Sequence, residues 1–223
     1  DYDAAVDKIV RAAEQSQPLG VSALAVHGLM TGALDATHRY RLNGLDLLVP
    51  DGQPVRWALN WLHRTNLAER VYGPELMLRV CRTAAERELP VFLFGGSEKL
   101  LGDLQQRLVK KFPELQIAGA RASRFRTLSA DERSELIAEI RASGARVTFV
   151  GLGCPRQEVF AYELRNELQM PLLAVGAAFN FPGISPRRQR RGDSAPADKV
   201  VVPERLTGRL LRLAVGVLPG LDL

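Results

Sequence analysis

Six short apolar runs, separated by longer stretches with helical periodicity, constrain the fold of this chain more than any other feature. The runs cover residues 21–26, 45–49, 91–94, 115–119, 147–151 and 172–176. Strands that are buried on both faces are apolar in this way, and connections of helical length imply right-handed crossovers between parallel strands. The pattern predicts an α/β fold with a doubly wound, mostly parallel, Rossmann-like sheet.

Local signals mark where three helices begin. Pro74 is suited to a first helical turn, Ser97 is suited to an N-cap, and Ser129 with Glu132 forms a capping box. The pattern changes after residue 181, where Pro, Gly and Arg interrupt any regular element. We therefore predict one main domain over residues 1–181 and a divergent, basic appendage over residues 182–223.

Cysteine usage and hydropathy bear on the compartment. The only cysteines are Cys81 and Cys154, whose spacing indicates neither a disulfide framework nor a metal-binding motif. The longest apolar runs are of strand length, far below the roughly 20 residues that span a bilayer. The sequence predicts a cytoplasmic protein without a transmembrane helix or signal peptide.

Positive charge is concentrated at the end of the chain. Residues 182–223 contain eight Arg or Lys against four Asp or Glu, which is +4 of the net charge of +5. A basic patch next to an amphipathic helix, predicted from about residue 203, is typical of segments that lie on an anionic membrane or contact a lipid diphosphate. The expected contacts are Arg187, Arg188, Arg190 and Arg191. Because the rest of the chain is nearly neutral, nucleic-acid binding is not expected.

Ligands of doubly wound sheets bind outside the carboxyl ends of the strands, so the loops found there are the candidate site. Asp51 follows the second apolar run within a Pro-Asp-Gly turn, where a carboxylate is suited to general-base catalysis. It is equally suited to capping the next helix. His27 and Arg70 occupy comparable positions as possible substrate contacts, although a solvated charge explains Arg70 as well.

Two further loops are rich in glycine. Gly95 and Gly96 lead into a helix whose free amides are suited to a phosphate, unless the glycines serve only packing. The segment Gly-Leu-Gly-Cys-Pro-Arg-Gln-Glu at residues 151–158 places polar side chains in the first turn of a helix. The residues expected to bind a nucleotide-sugar donor are Gly95, Gly96, Gly151, Gly153, Arg156, Gln157 and Glu158. The alternative for Glu158 is that it only complements the helix dipole, and Cys154 is predicted to be a small packing residue.

Five motifs in order resemble the WecG/TagA/CpsF glycosyltransferases, also called glycosyltransferase family 26. They are Pro-Asp-Gly at residues 50–52, Arg-Val-Tyr-Gly-Pro at 70–74, Phe-Leu-Phe-Gly-Gly at 92–96, Val-Gly-Leu-Gly-Cys-Pro-Arg-Gln-Glu at 150–158 and Val-Gly-Ala-Ala-Phe at 175–179. The resemblance covers about residues 21–181. It implies inverting transfer of an N-acetylmannosamine-like sugar from a UDP-sugar to a polyprenyl-diphosphate-linked acceptor in cell-surface polysaccharide or teichoic acid assembly.

The resemblance also implies roles for particular residues. Asp51 corresponds to the catalytic base and Gln157 to a donor contact, and arginines and amides replace a divalent ion, so no cofactor or metal is expected. A lipid-linked acceptor implies an enzyme that is peripheral on the inner face of the cell membrane. The sequence leaves a homo-oligomer open.

The chain departs from the family pattern at three places. Ala23 and Ala25 stand where Thr-x-Asn is frequent, Asn180 replaces an aspartate, and the expected motifs after residue 181 are missing. These departures leave a catalytically impaired, nucleotide-sugar-binding relative as the alternative. A dinucleotide oxidoreductase is disfavoured, because three spaced glycines do not follow the first run.

Overall fold

The computed structural model describes residues 1–124 and 126–180 and has the predicted α/β fold. Six parallel strands form one sheet in the order β2-β1-β6-β5-β3-β4. The strands are β1 (Leu19–Leu24), β2 (Leu47–Pro50), β3 (Val91–Gly95), β4 (Ile117–Arg121), β5 (Val147–Gly151) and β6 (Pro171–Ala174). The predicted basic appendage, with Arg187, Arg188, Arg190 and Arg191, lies outside the described residues.

Eight α-helices and a 3-10 helix surround the sheet in the described part of the chain. They are α1 (Tyr2–Glu14), α2 (Val26–Leu34), α3 (Ala36–Asn43), α4 (Gln53–His63), α5 (Gly73–Glu86), α6 (Glu98–Lys111), α7 (Ala130–Ala142), α8 (Arg156–Leu168) and the 3-10 helix Gly176–Asn180. The local start signals are confirmed: Ser97 caps α6, Ser129 and Glu132 form the capping box of α7, and Pro74 lies in the first turn of α5. These starts depend on neighbouring residues alone, which is why the sequence shows them.

Strand boundaries differ from the predicted ones by two residues at several places. β1 ends at Leu24 rather than at residue 26. β2 and β4 both begin two residues later than predicted. The shift at β1 corrects the place of His27. This residue lies in the first turn of α2 and not at a strand end.

The core consists of two layers, one on each face of the sheet. Helices α1, α5 and α6 pack on one face, and α2, α3, α4, α7 and α8 pack on the other. Alternate residues of a strand point to opposite faces, so Val91 and Leu93 join the first layer while Phe92 and Phe94 join the second. Burial on both sides explains why the strands are apolar throughout.

Because all six strands are parallel, the loops that follow them meet at one edge of the sheet. The Asp51 turn follows β2, the Gly96 turn follows β3, and the loops after β5 and β6 lie between them. From β2 to β5 is three strand spacings, or about 14 Å. An elongated ligand laid along this edge therefore reaches from Asp51 to the turn between β5 and α8.

Candidate active site

The turn that carries Asp51 is fixed by backbone hydrogen bonds on both sides. The Asp51 N–H donates to the Leu24 carbonyl at 3.1 Å, and the Val71 N–H donates to the Pro50 carbonyl at 2.9 Å. Gly52 then adopts a φ of 112° and is the N-cap of α4, without a side-chain cap. The alternative in which Asp51 caps this helix is therefore wrong.

The surroundings of Asp51 make its carboxylate a stronger base. Burial raises the pKa of Asp51, and this effect is opposed in part by a hydrogen bond from the Gly73 N–H and by the positive charge of Arg70. The side chain is only partly buried, so solvent still reaches it. A carboxylate with a raised pKa and access to solvent is suited to take a proton from a bound hydroxyl.

Gly73 lets the chain approach Asp51 closely. A Cβ atom at Gly73 would lie 3.1 Å from the Ala23 Cβ and 3.4 Å from Asp51 Oδ2. Ala23 itself is buried, whereas Ala25 is exposed. Ala23 therefore places a small apolar group near Asp51, where the family pattern has a hydrogen-bonding side chain.

Arg70 is held beside Asp51 by an aromatic ring. Its guanidinium carbon lies 4.6 Å from the centre of the Tyr72 ring, a distance at which cation–π attraction is effective. The Tyr72 N–H in turn donates to the Tyr2 hydroxyl at 2.8 Å. Helix α1, which the sequence did not reveal, thus supports the segment that places a positive charge next to the candidate base.

The glycines after β3 and β5 allow two chain segments to touch. A Cβ at Gly95 would lie 2.3 Å from the Gly151 carbonyl oxygen, and a Cβ at Gly151 would overlap the Phe179 ring at 2.6 Å. The Gly96 N–H donates to the Gly151 carbonyl at 3.1 Å. The Gly96 amide thus has a partner within the protein, and the predicted approach of a phosphate to the amides at the start of α6 stays a prediction.

Gln157 connects two loops of the site. Its Oε1 atom accepts from the Gly153 N–H at 3.1 Å and from the Gly176 N–H at 3.0 Å, and its Nε2 donates to Glu158 Oε1 at 2.9 Å. The side chain is buried. Gln157 thus joins the turn after β5 to the turn after β6, and its predicted contact with a donor stays a prediction.

Glu158 points into the protein. It is 2% exposed, and Ser22 Oγ lies 3.3 Å from its Oε1 as a second donor. Burial and the charge of Glu158 raise the pKa of the neighbouring Cys154 thiol to about 12, which argues against Cys154 as a nucleophile. A direct contact between Glu158 and a ligand in the cleft is not supported by this position.

Arg156 lines a cavity of about 330 Å³ between α7 and α8. The guanidinium donates to the Leu152 carbonyl at 2.7 Å and forms no ion pair with any described residue. The lining residues are Phe94, Ser123, Arg126, Thr127, Leu128, Arg133, Leu152, Pro155, Arg156, Val159, Phe160, Glu163 and Leu164. An apolar floor with cationic side chains at its rim is suited to a nucleotide, and Arg126 and Arg133 were not expected there from the sequence.

Three other polar residues complete the comparison with the sequence. His27 is exposed on α2, and Asn180 is exposed at the end of the 3-10 helix, so both remain accessible to a ligand. His38 is 1% exposed, and its ring nitrogens have no hydrogen-bond partner. Burial lowers the pKa of His38 more than the charge of Glu158 raises it. No sequence motif indicates that the His38 ring lies near Glu158.

Two comparisons with known proteins bear on the family of this chain. The family model described as "Glycosyl transferase WecG/TagA/CpsF family" matches residues 1–188. A curated relative from Bacillus spizizenii, named N-acetylglucosaminyldiphosphoundecaprenol N-acetyl-beta-D-mannosaminyltransferase, is 28% identical over 140 residues, which is 63% of this chain and 52% of the relative. The chain therefore spans about half the length of that relative. With a match over most of its length, the chain belongs to the WecG/TagA/CpsF family of glycosyltransferases.

Proposed function

We propose that this protein transfers an N-acetylmannosamine-like sugar from a UDP-sugar to a polyprenyl-diphosphate-linked acceptor, with inversion at the anomeric carbon. The observation that carries the proposal is Asp51, a partly buried carboxylate with a raised pKa at the carboxyl end of β2. Membership of the family and the name of the Bacillus relative support the class of sugar and acceptor.

In the proposed reaction, Asp51 takes the proton from the acceptor hydroxyl. The hydroxyl oxygen attacks the anomeric carbon from the face opposite UDP, and the bond between that carbon and the diphosphate oxygen breaks. UDP leaves with the electron pair, so negative charge grows on the diphosphate as the proton reaches Asp51. Arg70 and Arg156 supply positive charge for the diphosphate in place of a divalent ion.

The cavity beside Arg156 is the proposed place of the nucleoside. Apolar side chains of β3, α8 and the adjoining loops line it, together with three arginines. With the nucleoside there, the diphosphate crosses the loops after β5 and β6, and the sugar ends near Asp51. The spacing of about 14 Å between β2 and β5 is consistent with an extended nucleotide sugar.

We further propose that the protein works on the inner face of the cell membrane. Within the described residues, no helix has both the length and the hydropathy needed to cross a bilayer. Helix α4 begins directly after the Asp51 turn, and Trp57 and Trp61, one turn apart, are 50% and 70% exposed. Exposed tryptophans are typical of membrane interfaces, and these two lie on the helix next to the candidate base, where a lipid-linked acceptor arrives.

Liposome binding tests the membrane contact. The Trp57→Ser/Trp61→Ser variant is expected to sediment less with anionic vesicles than the unmodified chain, and removal of residues 182–223 tests the predicted basic appendage separately. Val109→Ser, at another exposed apolar residue, is the matched control. Equal sedimentation of all three variants and the unmodified chain contradicts the proposal.

A transfer assay tests the reaction itself. The full-length chain is mixed with a panel of UDP-sugars and a short-chain polyprenyl-diphosphate-linked acceptor, without added metal, and the product is identified by mass spectrometry and NMR. We expect one N-acetylhexosamine to be added with inverted configuration. UDP binding without turnover of any donor would instead support the impaired relative, which the small side chain of Ala23 near Asp51 favours.

A further inference from the structure

A second group of chemically reactive side chains lies away from Asp51, beneath the turn between β5 and α8. His38 on α3, Cys154 in the turn and Glu158 on α8 each offer one ligand atom, and these atoms lie within 4.8 Å of one another. Thiolate sulfur, imidazole nitrogen and carboxylate oxygen are the donors that zinc takes in proteins. The three residues come from distant parts of the sequence, so no spacing motif marks them.

Two members of this group have buried polar atoms without partners. His38 is 1% exposed, and neither Nδ1 nor Nε2 has a hydrogen-bond partner. Glu158 is 2% exposed, and its Oε2 atom also lacks a partner. Nearly all buried polar atoms in folded proteins are hydrogen-bonded. Ordinary packing does not explain unpartnered imidazole nitrogens and an unpartnered carboxylate oxygen in the same cluster. A bound cation would satisfy such atoms.

The surrounding residues hold the Glu158 carboxylate in place. Its Oε1 atom receives the Gln157 Nε2 at 2.9 Å and has Ser22 Oγ at 3.3 Å. Outer hydrogen bonds of this kind orient the ligands of protein metal sites. One oxygen of the carboxylate is thus fixed by protein donors, and the carboxylate lies beside the Cys154 thiol and the His38 ring.

We propose that His38, Cys154 and Glu158 bind one divalent cation of borderline-soft character, and that Zn²⁺ fits this donor set best. On binding, the ion displaces the thiol proton of Cys154 to solvent. The resulting thiolate and the Glu158 carboxylate then balance the two positive charges. Ligand bonds of about 2.0–2.3 Å require the three atoms to draw together slightly, and a water molecule completes the tetrahedron on the side of the partly buried Cys154.

Bound zinc would fasten α3 to the turn that carries Arg156 and Gln157. Its role is structural, since the ion is held inside the protein and Asp51 lies on the turn after β2, beyond β1 and β6 in the sheet. The inference does not depend on the proposed reaction. Zinc loss would loosen the turn, whereas the chemistry assigned to Asp51 needs no metal.

Metal content and a cobalt spectrum test the site. The untagged full-length chain, produced with zinc in the medium and dialysed, is expected to contain about one zinc per chain. After removal of zinc, titration with Co²⁺ is expected to give the visible bands of a tetrahedral ion and a near-ultraviolet thiolate-to-cobalt charge-transfer band. Zinc added back is expected to raise the Tm, because a ligand that binds only the folded state stabilises it.

Three variants locate the ion. Cys154→Ser is expected to abolish the charge-transfer band, and His38→Phe is expected to lose zinc, whereas Cys81→Ala removes the other thiol from the core and is expected to keep both. The spectrum of the unmodified chain decides the question even if His38→Phe fails to fold. Folded, unmodified chain that takes up neither zinc nor cobalt, or a charge-transfer band that survives Cys154→Ser, overturns the proposal.

Discussion

The end of β2 and the turn between β5 and α8 use polar residues in opposite ways. After β2, Asp51 keeps contact with solvent and has a raised pKa, while small neighbours such as Gly73 leave room around it. After β5, Gln157 and Glu158 are buried and bond to the protein itself. The first region thus keeps a carboxylate accessible to solvent, and in the second region buried side chains connect two loops. Polar residues in the loops at one edge of the sheet thus need not share one role.

Asp51→Asn has the largest expected effect on activity. Turnover should fall about 100-fold or more, equivalent to about 2.7 kcal/mol, because a positioned general base is removed. Circular dichroism and calorimetric UDP binding should match the unmodified chain, since an asparagine side-chain oxygen can still accept the hydrogen bond from the Gly73 N–H. Turnover within a few-fold of normal would assign the proton to another group.

Gln157→Ala should act on stability first. Loss of Oε1 leaves the amides of Gly153 and Gly176 without their protein partner, which is expected to lower the free energy of unfolding by about 1–3 kcal/mol. Gln106→Ala, on the exposed side of α6, is the control and should change it by less than about 0.5 kcal/mol. Urea unfolding measures the free energy of unfolding of both variants. An unchanged stability with lost donor binding would make Gln157 a ligand contact instead.

Arg156→Ala should weaken donor binding without loss of stability. The exposed guanidinium bonds only to the Leu152 carbonyl among the described residues, so the expected change is about a tenfold rise in donor KM, or about 1.4 kcal/mol. Arg82→Ala, an exposed arginine on α5, serves as the control and should leave KM unchanged. If both variants bind the donor equally well, the cavity between α7 and α8 is not the nucleoside site.

The smallest expected effect is a pH dependence of stability that originates at Asp51. The folded-state pKa is above the unfolded one, so the folded protein binds the proton more tightly, and the ionised carboxylate penalises folding at neutral pH. Asp51→Asn should therefore raise the Tm at neutral pH, and the gain should shrink as pH falls through the two pKa values. In the unmodified chain, kcat/KM should fall with acid at a pH above the ordinary Asp range. A Tm gain that is independent of pH contradicts this origin.

The features that the sequence predicts are those set by neighbouring residues. The strands are marked by their apolar composition, and the starts of α6 and α7 by Ser97 and Ser129, whose caps are local hydrogen bonds. Asp51 was placed at the sheet edge because parallel strands end together. The family was recognised on the same short motifs.

The features that were missed depend on which elements meet in three dimensions. His38 lies on a short helix with weak amphipathic character, and its burial depends on α8, which comes more than a hundred residues later. The Gly96 N–H donates to a carbonyl of β5, which is distant in sequence. The buried position of Glu158 likewise depends on Ser22 of β1. Such contacts leave no periodic signal in the segments that make them.

The position of β6 in the sheet has a consequence for how the protein is made. β6 is the last strand in the described part of the chain, yet it lies between β1 and β5. Before residues 171–174 are available, β1 can pair only with β2, and β5 only with β3, so β1 and β5 each lack one neighbouring strand. Open edges of this kind invite pairing with other nascent chains. Insertion of a single four-residue strand, Pro171–Ala174, between β1 and β5 covers both edges at once.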